Sequence, residues 1–228
     1  MPTKPVPKIE AWSFSRYNAY NQCPFKLKCT AIDKLKSPPV PAMERGKHIH
    51  KLAEEFVQGK FDDELPPELD NFEEEFVSLK RHYKKGLVEV EQQWAFNQYW
   101  QPTDWFAKDT WSRIMVDATE EMDDKTIKII DYKTGRVQTE YTEQLELYAL
   151  GAFCMYEGLE RVFVELWFLD HGEIVEGEAV MVDQVVELQK SWVGRTKKML
   201  NDTRFEPRQN QYCYNCHFRS DNGGPCKY

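Results

Sequence analysis

The spacing of apolar residues changes at Leu87, and no other feature of the sequence constrains the fold as strongly. Before Leu87, the stretches 42–58 and 69–85 place their apolar residues at helical spacing. Helical spacing returns in 141–156 and 182–200. Elsewhere after Leu87, alternation or short apolar runs predict the strands 87–96, 113–119, 126–133, 162–169 and 173–181. This order predicts an α/β fold with a mixed central β-sheet flanked by helices.

The third predicted strand carries a carboxylate and an amine near its end. Its alternate positions hold Ile127, Ile129, Asp131 and Lys133. Because side chains two residues apart project from the same face of a strand, Asp131 and Lys133 lie together. The carboxylate can ligate a divalent cation, and the amine can orient a water molecule or offset charge on a phosphate. Asp117, on the preceding strand of a predicted hairpin, is close enough to share that cation, which predicts a hard-oxygen site suited to Mg²⁺.

An isolated Asp-x-Lys pair also occurs at solvated strand ends, so the surrounding residues decide its meaning. The run 129–135 reads Ile-Ile-Asp-Tyr-Lys-Thr-Gly, and Asp117 precedes Asp131 by fourteen residues. This pattern resembles the core of the RecB-like branch of the PD-(D/E)XK nuclease superfamily. The resemblance implies a restriction-endonuclease-like core and catalytic roles for Asp117, Asp131 and Lys133. It also implies that the backbone carbonyl of Tyr132 completes the coordination of a bound metal.

Three further stretches match that family in the family's order. Residues 46–50 resemble its Gly-x-x-x-His element, which implies that His50 is a metal ligand and a catalytic residue. Gln144 and Tyr148 resemble its Gln-x-x-x-Tyr element and share one helix face, from which they can reach DNA or support the site. The segment 13–24, which contains Ser-x-Ser and ends in Cys-Pro, resembles the family's opening segment.

Structural alternatives stand beside these assignments. His50 can be a core histidine, Tyr148 an ordinary core residue and Gln144 a solvated helix residue. Glu91, on the first predicted strand, can add a carboxylate to the site, although we expect an exposed strand residue there. The aromatic residues near the site can stack on bases or belong to the core, and the core is the expectation for Trp105, Phe106 and Trp111.

Five of the six cysteines cluster toward the two ends of the chain, and Cys154 stands alone inside an apolar run. Cys213, Cys216 and Cys226 are close together in the last part of the sequence, and three thiolates need a fourth ligand to close a metal site. Cys23 lies in a Cys-Pro context that resembles AddB and the CRISPR-associated RecB-like exonucleases. That resemblance implies a [4Fe-4S] cluster bound by one early cysteine and three late ones.

The spacing of the late cysteines departs from the family pattern. Nine residues separate Cys216 from Cys226, which is longer than usual and leaves zinc, or a site that uses Cys29 or His217, as alternatives. We expect a single nuclease domain over 1–228, in which the segments 1–36 and 201–228 are clasped by the cysteine metal site. Such a clasp is structural and does not take part in catalysis.

Composition narrows the choice of function. The chain has 228 residues and a net charge of −8, which argues against a protein that coats DNA with its whole surface, because such binding requires a basic surface. It argues less against a nuclease whose acidic residues bind cations. No apolar run approaches the roughly 20 residues of a membrane helix, and the N-terminus lacks the apolar stretch of a secretion signal. We therefore expect a cytoplasmic protein, or one in the host cytoplasm if it is viral, without a membrane partner.

The leading hypothesis is a hydrolase that cleaves DNA phosphodiesters and depends on Mg²⁺ or Mn²⁺. Mn²⁺ is included because the predicted ligands combine an imidazole with oxygen atoms. We expect an exonuclease on single-stranded or frayed DNA ends, in repair, recombination or phage DNA processing. The alternative is a non-catalytic nucleic-acid-binding or assembly subunit with a nuclease-like fold. A zinc-binding interaction module accounts only for the cysteine tail. A helicase or recombination partner is left open.

Overall fold

The computed structural model describes residues 7–61, 64–137 and 141–228. Its α-helices, α1 to α6 in chain order, are Phe14–Gln22, Pro24–Leu27, Pro41–Val57, Glu73–Tyr83, Thr142–Met155 and Val185–Leu200. Its strands, β1 to β6, are Val88–Phe96, Ser112–Asp123, Thr126–Lys133, Arg161–Phe168, Glu173–Glu176 and Val180–Met181. Short helical turns of 3-10 or π type cover Lys28–Ile32, Pro67–Phe72, Val182–Gln184, Gln211–Asn215 and Ser220–Asn222. Among the helices of the described ranges, none is both long and apolar enough to cross a membrane.

The strands form a mixed sheet in the order β1-β2-β3-β4-β5, and β6 also pairs with β4. Strands β1, β2 and β3 are antiparallel neighbours, whereas β3 and β4 run parallel and are connected through α5. The short strands β5 and β6 run antiparallel to β4. The predicted α/β fold with a mixed central sheet flanked by helices is confirmed, and it is consistent with a restriction-endonuclease-like core.

The helices cover the sheet on two sides and form two apolar cores. One core combines residues of α1, α5 and α6 with Ile127 and Ile129 of β3. The other combines residues of α3 and α4 with Ile130 and Tyr132 of the same strand. Since neighbouring residues of β3 enter opposite cores, this strand is buried on both faces, as expected for a central strand of such a sheet. The end of β3 therefore lies between α3 on one side and α5 on the other.

The alternation of side chains along β1 and β2 is interrupted at Glu91, so residues before and after it enter different cores. Val90 packs against the core of α3 and α4, whereas Trp94, which simple alternation would place on the same face, packs in the opposite core. Glu91 has a φ of 51°, in the left-handed region that residues other than glycine adopt rarely. The ladder pairs on either side place Glu91 opposite Asp117. The irregularity therefore lies where two carboxylates face each other across the strands.

The chain before α1 is anchored to the start of β2. The Trp12 amide donates to the Trp111 carbonyl over 2.9 Å, and the Arg113 amide donates to the Trp12 carbonyl over 2.8 Å. The ring of Trp12 is fully buried and stacks on Trp192 of α6 with 5.4 Å between ring centroids. Ser13 then caps α1 by accepting from the Arg16 amide over 3.4 Å.

The structure differs from prediction over 173–181, where one strand was expected and two short strands are found. Gly177 lies between them, and its amide donates to the Val164 carbonyl over 3.0 Å. A Cβ at this position would lie 2.9 Å from Cδ1 of Leu145. The close approach of α5 explains the glycine, and the glycine interrupts the strand.

Two helical glycines give a matched test of this packing. A Cβ on Gly151 of α5 would lie 2.8 Å from Cδ1 of Ile114 and 3.0 Å from the ring of Trp94, whereas a Cβ on Gly194 of α6 meets nothing within 4 Å. We expect Gly194→Ala to raise the free energy of unfolding by about 0.5–1 kcal/mol, because alanine favours a helix. We expect Gly151→Ala to lower it by about 1–3 kcal/mol through overpacking. Urea denaturation of both variants checks this, and equal effects would contradict the packing of α5 on β1 and β2.

Candidate metal and active site

The carboxylate of Asp117 connects α3 to two strands of the sheet. Its Oδ1 lies 3.0 Å from Nδ1 of His50, and its Oδ2 accepts a hydrogen bond of 2.6 Å from the backbone amide of Tyr132. The side chain of Asp117 is 13% exposed and that of His50 is 31% exposed, so solvent reaches the pair from one side. The predicted proximity of His50 to Asp117 is therefore observed.

The glycine of the Gly-x-x-x-His stretch has a packing role that brings His50 to this position. A Cβ on Gly46 would lie 3.1 Å from the hydroxyl of Thr134, immediately after β3. A larger residue at this position would push α3 away from the end of the strand. Gly46, Lys47 and His50 also line an open cavity of about 430 Å³, called here the metal cavity, together with Glu91, Met115 and Asp117.

Glu91 joins this pair, contrary to its expected place on the exposed surface. Ligand atoms of His50, Glu91 and Asp117 all lie within 4.8 Å of one another, and each side chain is partly buried. Burial and the neighbouring charge of Asp117 raise the pKa of Glu91, while His50 opposes that shift. The sequence places Glu91 on a strand but carries no mark of the left-handed backbone conformation that distinguishes it there.

Asp131 and Lys133 form a second, adjoining group. Their charged groups make an ion pair between Nζ of Lys133 and Oδ2 of Asp131. Oδ1 of Asp131 accepts a hydrogen bond of 2.8 Å from the hydroxyl of Tyr148, which in turn accepts one of 2.8 Å from the Gln144 amide. Oε1 of Gln144 lies 3.4 Å from Nζ of Lys133. The Gln-x-x-x-Tyr pair thus supports the Asp-x-Lys pair directly, and neither Gln144 nor Tyr148 is a solvated residue.

The carboxylates of Glu91, Asp117 and Asp131 lie close together in a partly buried site, so their ionisation is unfavourable when no cation is bound. Burial is the main cause of a raised pKa at Asp131, with a further contribution from the charge of Asp117, whereas Lys133 opposes the shift. Burial lowers the pKa of His50, but the hydrogen bond and the charge of Asp117 outweigh it, so the pKa of His50 is raised. A divalent cation would reduce the repulsion among these carboxylates.

The residues present fit a hard divalent cation. Ligands at adjacent corners of an octahedral Mg²⁺ site, with bonds of about 2.1 Å, lie roughly 3.0 Å apart. Nδ1 of His50 and Oδ1 of Asp117 are 3.0 Å apart in the hydrogen bond that joins them, so a cation that replaced the shared proton could bind both atoms without moving them apart. The buried Oδ2 of Asp131 has the ammonium of Lys133 as its polar contact among the described residues. Asp131 adjoins the group of His50, Glu91 and Asp117 and lies outside the 4.8 Å cluster.

The four cysteines predicted to bind a metal lie near the C-terminal end of α1, in a different cavity from His50 and Asp117. Cys23, Cys213, Cys216 and Cys226 all line one cavity, called here the cysteine cavity. None of the six cysteines forms a disulfide, and neither Cys29 nor His217 lines this cavity. Asn210 ties the tail to the end of α1, because its side-chain amide donates to the Gln22 carbonyl over 2.9 Å. Residues 1–6 of the predicted clasp lie outside the described residues.

Comparison with known proteins places these observations in a family. The family model described as the PD-(D/E)XK nuclease superfamily matches residues 11–220. A candidate exonuclease from Eubacterium rectale superposes with a TM-score of 0.49 and 14% identity, over 94% of this chain and 87% of that chain. The protein SSO0001 superposes with a TM-score of 0.43 and 16% identity, over 99% of this chain and 91% of that one. Comparison with curated proteins gives no match.

Metal binding can be tested with two histidines in matched settings. His50 pairs with Asp117 and His82 pairs with Glu120, and both imidazoles are 31% exposed. We expect Mn²⁺ to raise the thermal midpoint of the wild type, by an amount equivalent to about 2.7 kcal/mol at 100 times the dissociation constant. We expect His50→Ala to remove this shift and His82→Ala to retain it. Thermal melts with and without Mn²⁺ decide, and a shift that survives in His50→Ala would place the ion elsewhere.

Proposed function

Because this chain belongs to the PD-(D/E)XK nuclease superfamily, we propose that it is a metal-dependent DNA nuclease whose active site is formed by His50, Asp117, Asp131 and Lys133. The observation that carries this proposal is the position of these groups at one end of the sheet. His50 contacts Asp117 from α3, and Lys133 is ion-paired with Asp131 on β3. Asp131 is only 6% exposed, whereas an aspartate at a solvated strand end would be exposed to water.

Each side chain has a defined role in this proposal. His50, Asp117 and Asp131 hold Mg²⁺ or Mn²⁺, with Glu91 as a further carboxylate and the Tyr132 carbonyl as a backbone ligand. The bound cation supplies Lewis-acid chemistry, which polarises the scissile phosphate and lowers the pKa of a water ligand. Lys133 orients the nucleophile and offsets negative charge that develops on the phosphate.

The polar residues of α5 keep Lys133 in place. Gln144 accepts from its amine over 3.4 Å, and Tyr148 holds the partner carboxylate Asp131 over 2.8 Å. A lysine side chain has several rotatable bonds, so such contacts reduce the conformational freedom that catalysis would otherwise have to overcome. We therefore assign Gln144 and Tyr148 as positioning residues that also reach toward DNA.

We propose an exonuclease that acts on single-stranded or frayed DNA ends. Two aromatic residues near the site support contact with unpaired bases, because Phe106 is 85% exposed and Trp105 is half-buried next to it. Trp111 belongs to the core instead, where its ring packs at 5.3 Å from that of Trp12. A non-catalytic subunit is the alternative, and the retention of all four proposed catalytic groups argues against it.

We further propose that Cys23, Cys213, Cys216 and Cys226 bind a [4Fe-4S] cluster that clasps the segments 1–36 and 201–228 of a single domain. The four cysteines line one cavity, so one metal centre there could be reached by all four sulfurs. Backbone amides of Arg208 and Asn210 lie 3.5 and 3.4 Å from Sγ of Cys23 and Cys213, as around cluster sulfurs.

Two lysines of β3 provide a matched test of catalysis. Lys133 pairs with Asp131 at one end of the strand, and Lys128 pairs with Glu120 nearer the other end. We expect Lys133→Met to slow Mn²⁺-dependent release of nucleotides from end-labelled single-stranded DNA by about 10²–10³-fold, because charge stabilisation on the phosphate is lost. We expect Lys128→Met to retain the wild-type rate. Full activity in a folded Lys133→Met protein would refute the role of Lys133.

The cysteine site has its own test, which does not depend on cleavage. Protein purified without oxygen should be brown, with stoichiometric iron and sulfide, and Cys213→Ser should lose both colour and iron. Cys154→Ser is the control, since Cys154 lies on α5 outside the cysteine cavity and contacts Gln189. Colourless wild-type protein that contains one equivalent of zinc would instead support the zinc alternative and contradict the cluster.

A further inference from the structure

A second cavity lies directly beside the proposed active site. It has a volume of about 310 Å³, and it is formed by the chain before α1, the first turn of α1, the loop before β2, β2 itself and α5. Its polar and aromatic lining comes mainly from Ser13, Ser15, Arg16, Trp105 and Arg113. We call it the arginine cavity. None of these five residues has a role in the metal site.

Two guanidinium groups face this cavity without a carboxylate partner. In the part of the chain that the structure describes, neither Arg16 nor Arg113 forms a salt bridge. Arg16 donates to the Ala11 carbonyl, and Nε of Arg113 donates to the Trp105 carbonyl over 2.9 Å, which leaves further N–H donors on each group. Burial and the charge of Arg113 lower the pKa of Arg16, and the charge of Glu10 offsets part of that shift, so the two cations repel each other. An anion between them would relieve that repulsion.

Two aromatic rings lie next to the guanidinium group of Arg113. The guanidinium of Arg113 is 5.4 Å from the ring of Trp105 and 5.6 Å from that of Phe106. Phe106 is 85% exposed, so a face of its ring is open to a base. Cationic groups combined with exposed rings are the features by which proteins bind unpaired nucleic acid, because phosphates pair with the cations and bases stack on the rings.

The arginine cavity adjoins the metal cavity. Met115, which is 52% exposed, lines both of them. Gln144 and Tyr148 line the arginine cavity and also contact Asp131. Arg113, Met115 and Asp117 occupy alternate positions of β2. Four residues of a strand span roughly 13 Å, so a DNA strand lying along β2 could contact both Arg113 and the proposed metal site at Asp117.

We propose that the arginine cavity binds a phosphate of the DNA strand close to the scissile phosphodiester, with the base of that nucleotide stacked on Phe106 or Trp105. This inference rests on the proposed function, because it assigns the substrate of the same site. The hydroxyls of Ser13 and Ser15 are hydrogen-bonded to each other over 3.0 Å, which leaves one of the two O–H groups to donate to the same phosphate. A base that stacks on a protein ring must be unpaired, so the subsite selects single-stranded DNA.

Binding without metal tests this subsite separately from cleavage. The probe is a fluorescent oligodeoxythymidine of about ten nucleotides, and its anisotropy is measured in EDTA. We expect Arg113→Ala to weaken binding by tenfold or more and to reduce the salt dependence by about one phosphate contact. Arg161→Ala is the control, because Arg161 also lies over an aromatic ring, Phe163 at 5.6 Å, but at the start of β4. We expect Arg161→Ala to bind within twofold of the wild type.

Phe106→Ala provides a second variant that does not disturb the fold, since its side chain is exposed. We expect it to weaken binding about fivefold or more through loss of stacking, with an unchanged salt dependence. Probes with a 5′ phosphate, a 3′ phosphate or neither distinguish a terminal phosphate from an internal one. An Arg113→Ala penalty that requires a terminal phosphate assigns the subsite to strand ends, and a penalty on every probe assigns it to internal phosphates.

The inference is overturned if folded Arg113→Ala and Phe106→Ala both bind these probes as tightly as the wild type. It is also overturned if duplex DNA binds as tightly as the single strand and Phe106→Ala has no effect. Failure of the proposed function would look different, because the wild type would then bind the probe in EDTA but release no nucleotides when Mn²⁺ is added.

Discussion

The structure of this site depends on one carboxylate, that of Asp117. It contacts His50 on α3 through one oxygen and the Tyr132 amide on β3 through the other. It therefore fixes the helix and two strands relative to one another at the place where the sheet is irregular. Glu91, with its left-handed backbone, lies opposite Asp117 and adds a second carboxylate to the same side of the cavity. Strain of this kind persists only where the surroundings determine it, and it is concentrated at functional sites.

Much of this arrangement could be predicted from the sequence, because it follows from local periodicity. Alternation along 126–133 placed Asp131 beside Lys133, and helical spacing placed Gln144 beside Tyr148. The role of Glu91 could not be predicted, because nothing in the sequence around this glutamate indicates that its backbone adopts the left-handed conformation. The partners of Arg113 could not be predicted either. Two of its neighbours, Trp12 and Arg16, come from a segment about one hundred residues earlier in the chain, which is joined to β2 by backbone hydrogen bonds that any sequence could form.

The charged groups that the proposed metal site requires lower the stability of the folded protein when no cation is bound. Burial of the Asp131 carboxylate and the nearby charge of Asp117 disfavour ionisation, and the ion pair with Lys133 only partly offsets that cost. A binding site for a cation has this character before the ion arrives, because the ligands repel one another. The apolar cores on both faces of β3 supply the stability that holds such groups together.

Anomalous diffraction from crystals soaked in Mn²⁺ tests the central claim most directly, because it locates the ion without reference to activity. A peak within coordination distance of both His50 and Asp117, with Asp131 adjacent, is the predicted result. A well-ordered site with no peak between His50 and Asp117, or with manganese bound only elsewhere on the protein, would contradict it.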